Sequence, residues 1–181
     1  KRLRDGSKVR GVGMGIGTHN TGVKPFVNEI TGAVLKVNED GTVNVAVGAC
    51  DLGQGSDTIL AQVAGEVLGI DPERIDVFNG DTDFCPYDNG THSSRQAYMA
   101  GSAVKMAAEE ARDQLMAAVA DALEADAVDL ACADGKVYVR SAPERALPFE
   151  EAAMYAVHCD KNVMVMGRGT FAPVTNCPPF L

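Results

Sequence analysis

Clustered positive charge is scarce in this chain. Its 181 residues carry 16 Lys and Arg against 25 Asp and Glu, a formal net charge of −9. Nucleic acids and anionic membrane surfaces are held by grouped basic side chains, so neither is expected as a main partner. The one basic run, Lys1–Arg4, is short and terminal and reads as a solvated end. No apolar stretch is long enough for a membrane span, and no signal-peptide pattern opens the chain. The five cysteines, Cys50, Cys85, Cys132, Cys159 and Cys177, form no C-x-x-C. A zinc ribbon and a thioredoxin-like motif are therefore unsupported, and scattered reduced thiols of a cytoplasmic protein are expected.

Several catalytic signatures are missing as well. There is no G-x-S-x-G elbow, so His92 beside Ser93 and Ser94 reads as a solvated or capping residue. The run "DTDFCPYDNG", Asp81–Gly90, starts like a calcium loop, but Cys85 and Pro86 stand where a ligand and the obligatory glycine belong. His19 and His158 have no paired ligands nearby, and no basic neighbour activates Cys50 or Cys85. The chain lacks an initiator Met and ends on "CPPFL", which reads as a piece of something longer.

What is present is an ordinary globular composition, 46% hydrophobic and 23% charged, long enough for one sizeable core. "KVRGVGMGIGTHNTG", Lys8–Gly22, places glycine at every second position from Gly11 to Gly17. A dinucleotide loop should open a helix, and the polar Thr18–Gly22 does not; a strand with one bare face is the better reading. Alternating runs flank Asn38–Gly41 within Ala33–Ala49 and predict a hairpin. Ile59, Leu60, Val63, Ala64, Val67 and Leu68 share one helical face, predicting a helix over Ser56–Leu68 with Ser56 as N-cap and Gly69 just past its end. A strand near Arg74–Asn79 and a long polar loop, Gly80–Ser94, come next. Ala97–Ala125, entered from Ser94, predicts a long helix. A second hairpin over Val128–Ser141, a short helix over Leu147–His158 with Pro148 near its first position, and a last strand complete the order. The fold class expected is α+β: one domain over residues 1–181, a mixed sheet with β-hairpins, and two main helices, one of them long.

Two segments share a design. "LGQGS", Leu52–Ser56, and "DNGTHSSRQ", Asp88–Gln96, each deliver an irregular turn into a helix. Helix N-termini carry unpaired N–H groups and the positive end of the macrodipole. Two of them facing one cleft would hold an anionic, oxygen-rich ligand without basic side chains. Glycine corners and Ser or Thr caps also start many helices that bind nothing; the length and polarity of Gly80–Ser94 favour binding.

On these residues the chain resembles the molybdenum hydroxylases, the xanthine dehydrogenase and aldehyde oxidase family. "GACDLGQGSDTILAQVAGEVLG", Gly48–Gly69, is similar to the family's glycine–glutamine–glycine segment, and "DNGTHSSRQAYMAGSAV", Asp88–Val104, to its second cofactor-binding segment. The "DNG…SSR" wording resembles most the molybdopterin subunits of 4-hydroxybenzoyl-CoA reductases. The resemblance implies a molybdenum-bearing molybdopterin, as mononucleotide or cytosine dinucleotide, between domains. It implies that Gln54 acts catalytically by reaching an oxo ligand of the metal, with Leu52, Gly53 and Gly55 beside the pterin. Ser93, Ser94, Arg95 and Gln96 would hold the phosphate part through backbone and hydroxyls. No side chain of this chain would ligate the metal. Asp51 stands where many relatives have glutamate. The family's glycine–phenylalanine segment and its glutamate base are absent, so half a site is expected: a fragment or split subunit. Its partners would be the remaining molybdenum-binding domains, iron–sulfur and FAD subunits or domains, and a small-molecule substrate. The reaction implied is hydroxylation of a heteroaromatic or aldehyde carbon, or reductive dehydroxylation of an aromatic acyl-CoA. The alternative is a non-enzymatic binding or assembly module of the same fold without metal.

Overall fold

The computed structural model describes residues 3–17, 19, 22 and 28–174. Leu3–Asp5 (β1) and Lys8–Arg10 (β2) form a small antiparallel hairpin turned by Gly6. The glycine-alternating strand expected over Lys8–Gly22 ends there. Gly11–Gly17 belongs to no strand, and Val12, Met14 and Ile16 are each more than four-fifths exposed. Alternation supplies one apolar edge, but a strand also needs a ladder partner, and none is present among the described residues. Part of Thr18–Gly22 lies outside those residues.

The hairpin around Asn38–Gly41 is Thr31–Val37 (β3) against Val43–Val47 (β4), with Leu35 opposite Val45. Gly41 takes the left-handed conformation of the turn, φ 76°. From β4 the chain crosses through Ser56–Leu68 (α1) to Ile75–Phe78 (β5), which lies parallel to β4. Gly69 ends α1 in a left-handed conformation and donates its N–H to Gly65 O. The long helix spans Gln96–Val119 (α2), shorter at its end than Ala125. Beyond it the chain continues in turns, with Glu124 N bonded to Asp121 O and Arg145 donating to the carbonyls of Leu123 and Glu124.

Leu130–Ala133 (β6) and Lys136–Val139 (β7) form the second hairpin, extended by Ala142–Pro148 (β8), a strand the sequence reading did not resolve. Its accessible, charge-bearing sequence "APERALP" carries no clean alternation. Pro148 is the N-cap of Phe149–His158 (α3), one place earlier than expected. Met166–Phe171 (β9) then returns to pair with β3, completing a four-stranded mixed sheet ordered β5-β4-β3-β9.

One face of that sheet carries Ala33, Leu35, Val37, Val43, Val45 and Val47, all buried, and α1 and α2 lie over it. The fit against α2 is close. A Cβ on Gly167 would come 1.8 Å from Ala107 O, and one on Gly169 1.9 Å from Ala103 O. Glycine on β9 and alanine on α2 let the two backbones touch.

A candidate cofactor site at two joined helix entrances

The Gln54 corner sits on the surface. Leu52, Gly53 and Gln54 are exposed, and nothing lies within 4 Å of where a Cβ would stand on Gly53 or Gly55. Both glycines are left-handed, at φ 100° and 82°, so other residues would be strained there. Ser56 is not the N-cap of α1; Gly55 holds that place and makes no side-chain cap. The capping is done by Asp51. Its carboxylate accepts from Gly53 N at 2.7 Å and from Gly55 N and Asp57 N at 3.3 Å each. The Gly53 N–H foremost, with those of Asp57, Gly55 and Ser56, holds Asp51 below its ordinary range against the cost of desolvation. The α1 terminus therefore already contains an anion of its own, which corrects the picture of two open helix ends. Asp57, partly buried and close to Asp51, is raised.

The Gln54 carboxamide is folded back on this loop. Oε1 accepts from Leu52 N at 2.6 Å; Nε2 donates to Cys50 O at 3.2 Å and to Ser56 Oγ at 2.9 Å.

The second loop is fixed from beneath by Arg95, whose side chain is wholly buried. Nε donates to Glu29 Oε1 at 2.9 Å, Nη1 to Asp88 Oδ1 and Gly90 O at 2.7 Å each, and Nη2 to Thr31 Oγ1 at 3.0 Å. Asp88 also accepts from Gly90 N, Gln96 Nε2 and the Thr31 hydroxyl. Burial would raise Asp88, but the Thr31 hydroxyl, Arg95, Gly90 and Gln96 outweigh it and hold it low. The Arg95 and Gln96 side chains thus point inward. Gln96 is buried and bonds to Asp88 and Thr91. What this stretch exposes is His92 and Ser94; Ser93 is half-buried, its carbonyl accepting from Gly22 N at 2.9 Å, and Ser93 and Ser94 are both left-handed at φ 50° and 49°. Two successive non-glycine residues in that region carry a conformational cost of order 1–3 kcal/mol each, sustained by the network below.

Thr91 joins the two loops. Its hydroxyl donates to Cys50 O at 2.7 Å and accepts from Cys50 N at 3.1 Å. All eight expected site residues therefore lie on two adjacent, cross-linked turns. Beside them a cavity of about 400 Å³ is lined by Gly48, Cys50, Gly80, Asp81, Cys85 and Asp88. Larger grooves of about 660 and 840 Å³ lie between α1 and the second sheet, away from all eight residues. Among the described residues no group of three His, Cys, Asp or Glu converges as metal ligands.

The sequence assigns no structural role to Asp51, Asp88 and Thr91, though they lie in the two segments it singles out, and does not point to Thr31 or Glu29 at all. Asp51 had a signal, an acidic residue just before a helix. Glu29 had none: its partner is 66 positions away.

An α+β frame here presents an exposed glutamine between two bare glycines, next to a Ser–Ser turn in the left-handed region. The chain belongs to the molybdopterin cofactor-binding domain family, whose model matches residues 1–179. It is 33% identical over 180 residues to the xanthine dehydrogenase molybdenum-binding subunit of Escherichia coli O157:H7, covering 98% of this chain and 24% of that one. With the nicotine 6-hydroxylase large subunit of Paenarthrobacter nicotinovorans it shares 34% over 167 residues, 88% of this chain and 20% of the other. Quinoline 2-oxidoreductase from Pseudomonas putida 86 superposes with a TM-score of 0.75 at 28% identity, covering 82% of this chain and 20% of that one. The chain thus spans about a quarter or less of the length of these relatives. Each of the three is named for an oxidoreductase or its subunit, and none supports the non-enzymatic alternative. They do not bring out the likeness to 4-hydroxybenzoyl-CoA reductases.

Proposed function

We propose that this chain forms one wall of the molybdenum cofactor site of a larger oxidoreductase. The observation that carries the reading is the exposed Gln54 between two glycines whose open backbone leaves room for a flat ring system. The fit is through side chain and surface: Asp51 occupies N–H groups at the α1 entrance, whereas Gln54 and Ser94 are exposed, with the Gln54 carboxamide folded back on its own loop. Leu52, Gly53 and Gly55 would lie beside the pterin, and Gln54, once one N–H is released from its own loop, would offer it toward the metal end. Ser93 and Ser94, with the backbone of Arg95 and Gln96, hold the phosphate of a mononucleotide or cytosine dinucleotide form. When bound, the cofactor supplies two-electron redox chemistry; this chain orients it.

The relatives favour hydroxylation of a heteroaromatic or aldehyde carbon over reductive dehydroxylation of an acyl-CoA. The remaining molybdenum-binding domains close the site, and iron–sulfur and FAD domains or subunits take the electrons. The scattered thiols favour the cytoplasm. None of the described helices is long and apolar enough to cross a membrane.

Gln54→Ala and Ser94→Ala in the assembled enzyme test this. Losing a preorganised donor costs about 2.7–4 kcal/mol, roughly a hundred- to a thousandfold in rate. Gln54→Ala should lower turnover per molybdenum by that factor with molybdenum content unchanged. Ser94→Ala should lower content and leave turnover per molybdenum nearly normal. Normal turnover per metal in Gln54→Ala would remove the assignment of that glutamine.

A further inference from the structure

Gln54 can act on a cofactor only if one of its N–H groups is released, and both are occupied. The two bonds differ. The one to Ser56 Oγ is 2.9 Å and ends on a buried hydroxyl; the one to Cys50 O is 3.2 Å. Cys50 O has a second and shorter donor, the Thr91 hydroxyl at 2.7 Å. Among the described residues, these two side chains are the donors to that carbonyl.

Thr91 is fully used in this role. A hydroxyl offers one hydrogen and two acceptor sites. Thr91 gives its hydrogen to Cys50 O and accepts from Cys50 N at 3.1 Å and Gln96 Nε2 at 3.0 Å. Asp88 fixes Gln96 in turn, and Arg95 fixes Asp88. The hydroxyl is therefore held from the buried side and cannot follow Gln54 when it moves.

We propose that Thr91 is the positioning residue that frees the Gln54 carboxamide: its hydroxyl keeps Cys50 O paired, so Gln54 can turn outward without leaving a half-buried carbonyl unsatisfied. The inference rests on the reading of Gln54 given above. With Thr91 in place the swing exchanges a long, redundant bond for a new one. Without it, Gln54 becomes the sole donor to Cys50 O, and leaving carries the cost of an unpaired polar group. A valine at 91 keeps the shape and removes the hydroxyl; a serine keeps the hydroxyl.

Three measurements on the complete enzyme test this. In the cofactor-free form, Thr91→Val should slow hydrogen exchange at Leu52 N–H, because that amide is bonded to Gln54 Oε1 at 2.6 Å and the carboxamide is now held more tightly. A merely destabilising substitution would speed it. In the loaded form, Thr91→Val should lower turnover per molybdenum about tenfold, the rate equivalent of one net hydrogen bond. Molybdenum content should be unchanged and Thr91→Ser close to wild type. The double variant Thr91→Val/Gln54→Ala should be no slower than Gln54→Ala alone. Leu52 exchange that is unchanged or faster in Thr91→Val, or single losses that multiply in the double variant, would overturn the proposal. Gln54→Ala with normal turnover per molybdenum would take down the proposed function and this inference with it. A normal Gln54→Ala loss with multiplying effects would take down this inference alone.

Discussion

At the scale of single residues, the arrangement is one of carboxylates doing what the sequence reading assigned to a ligand. Asp51 fills the α1 terminus, and Asp88 with Glu29 neutralises Arg95 from two sides. Removing one member of a buried ion pair costs about 3–5 kcal/mol, because the partner is left charged and unpaired. Asp88→Ala leaves Arg95 its second carboxylate, Glu29, so it should lower stability by no more than about the lower end of that range at neutral pH, read as a fall in the urea midpoint. The pH dependence has a definite sign. Asp88 and Asp51 both lie below the ordinary carboxylate value of 3.8 in the folded state. Their contribution is complete above that value and is lost as pH falls below it. The stability gap between wild type and Asp88→Asn should thus stay constant from neutrality to about pH 5 and close only in stronger acid. A gap that closes near neutrality would place the cause elsewhere.

At the scale of elements, the contact between α2 and β9 decides how the helix that starts at the Ser93–Ser94 turn is aimed. Met166 N donates to Gln114 Oε1 and Arg168 N to Glu110 Oε2, so α2 also covers part of the open edge of β9. A methyl group on Gly167 or Gly169 would meet helix backbone, which cannot yield as a side chain can. Gly167→Ala and Gly169→Ala should each cost about 3 kcal/mol or more, the upper part of the range for overpacking, measured by denaturant unfolding. Gly13→Ala is the control: nothing lies within 4 Å of its Cβ position, and its effect on the stability of this chain should be within about 0.5 kcal/mol.

At the scale of the whole molecule, exposed apolar groups mark candidate contact surfaces. Val12, Met14 and Ile16 project from the unpaired Gly11–Gly17 segment, and Leu52, Phe78, Phe84 and Tyr87 are exposed around the candidate site. Groups of this kind in one region signal contact surfaces. The chain on its own should self-associate, seen as concentration-dependent sedimentation, and Val12→Lys with Met14→Lys should reduce it. It should also purify without stoichiometric molybdenum, since an anionic cofactor resting on the one proposed wall alone would keep few of its contacts. Metal analysis checks this.

The order of elements was legible in the sequence because periodicity, turns and breakers act over a few residues. The hairpin at Asn38–Gly41, the helix ending at Gly69 and the start of the long helix all rest on such local physics. The two site loops were legible for the same reason: glycine, serine and glutamine at a helix entrance are a local pattern. Tertiary structure alone decided which groups remain free there. Arg95 looks like an anion-binding side chain in sequence, yet Glu29 and Asp88 claim it, and Thr91 ties Gln54's loop to its neighbour. These partners lie 7 to 66 positions apart, and Coulomb and hydrogen-bond energies depend on distance in space, not along the chain. The glycine-alternating segment Gly11–Gly17 shows the converse. Its alternation was plain, but a strand is completed by a neighbour, and sequence pattern does not supply one.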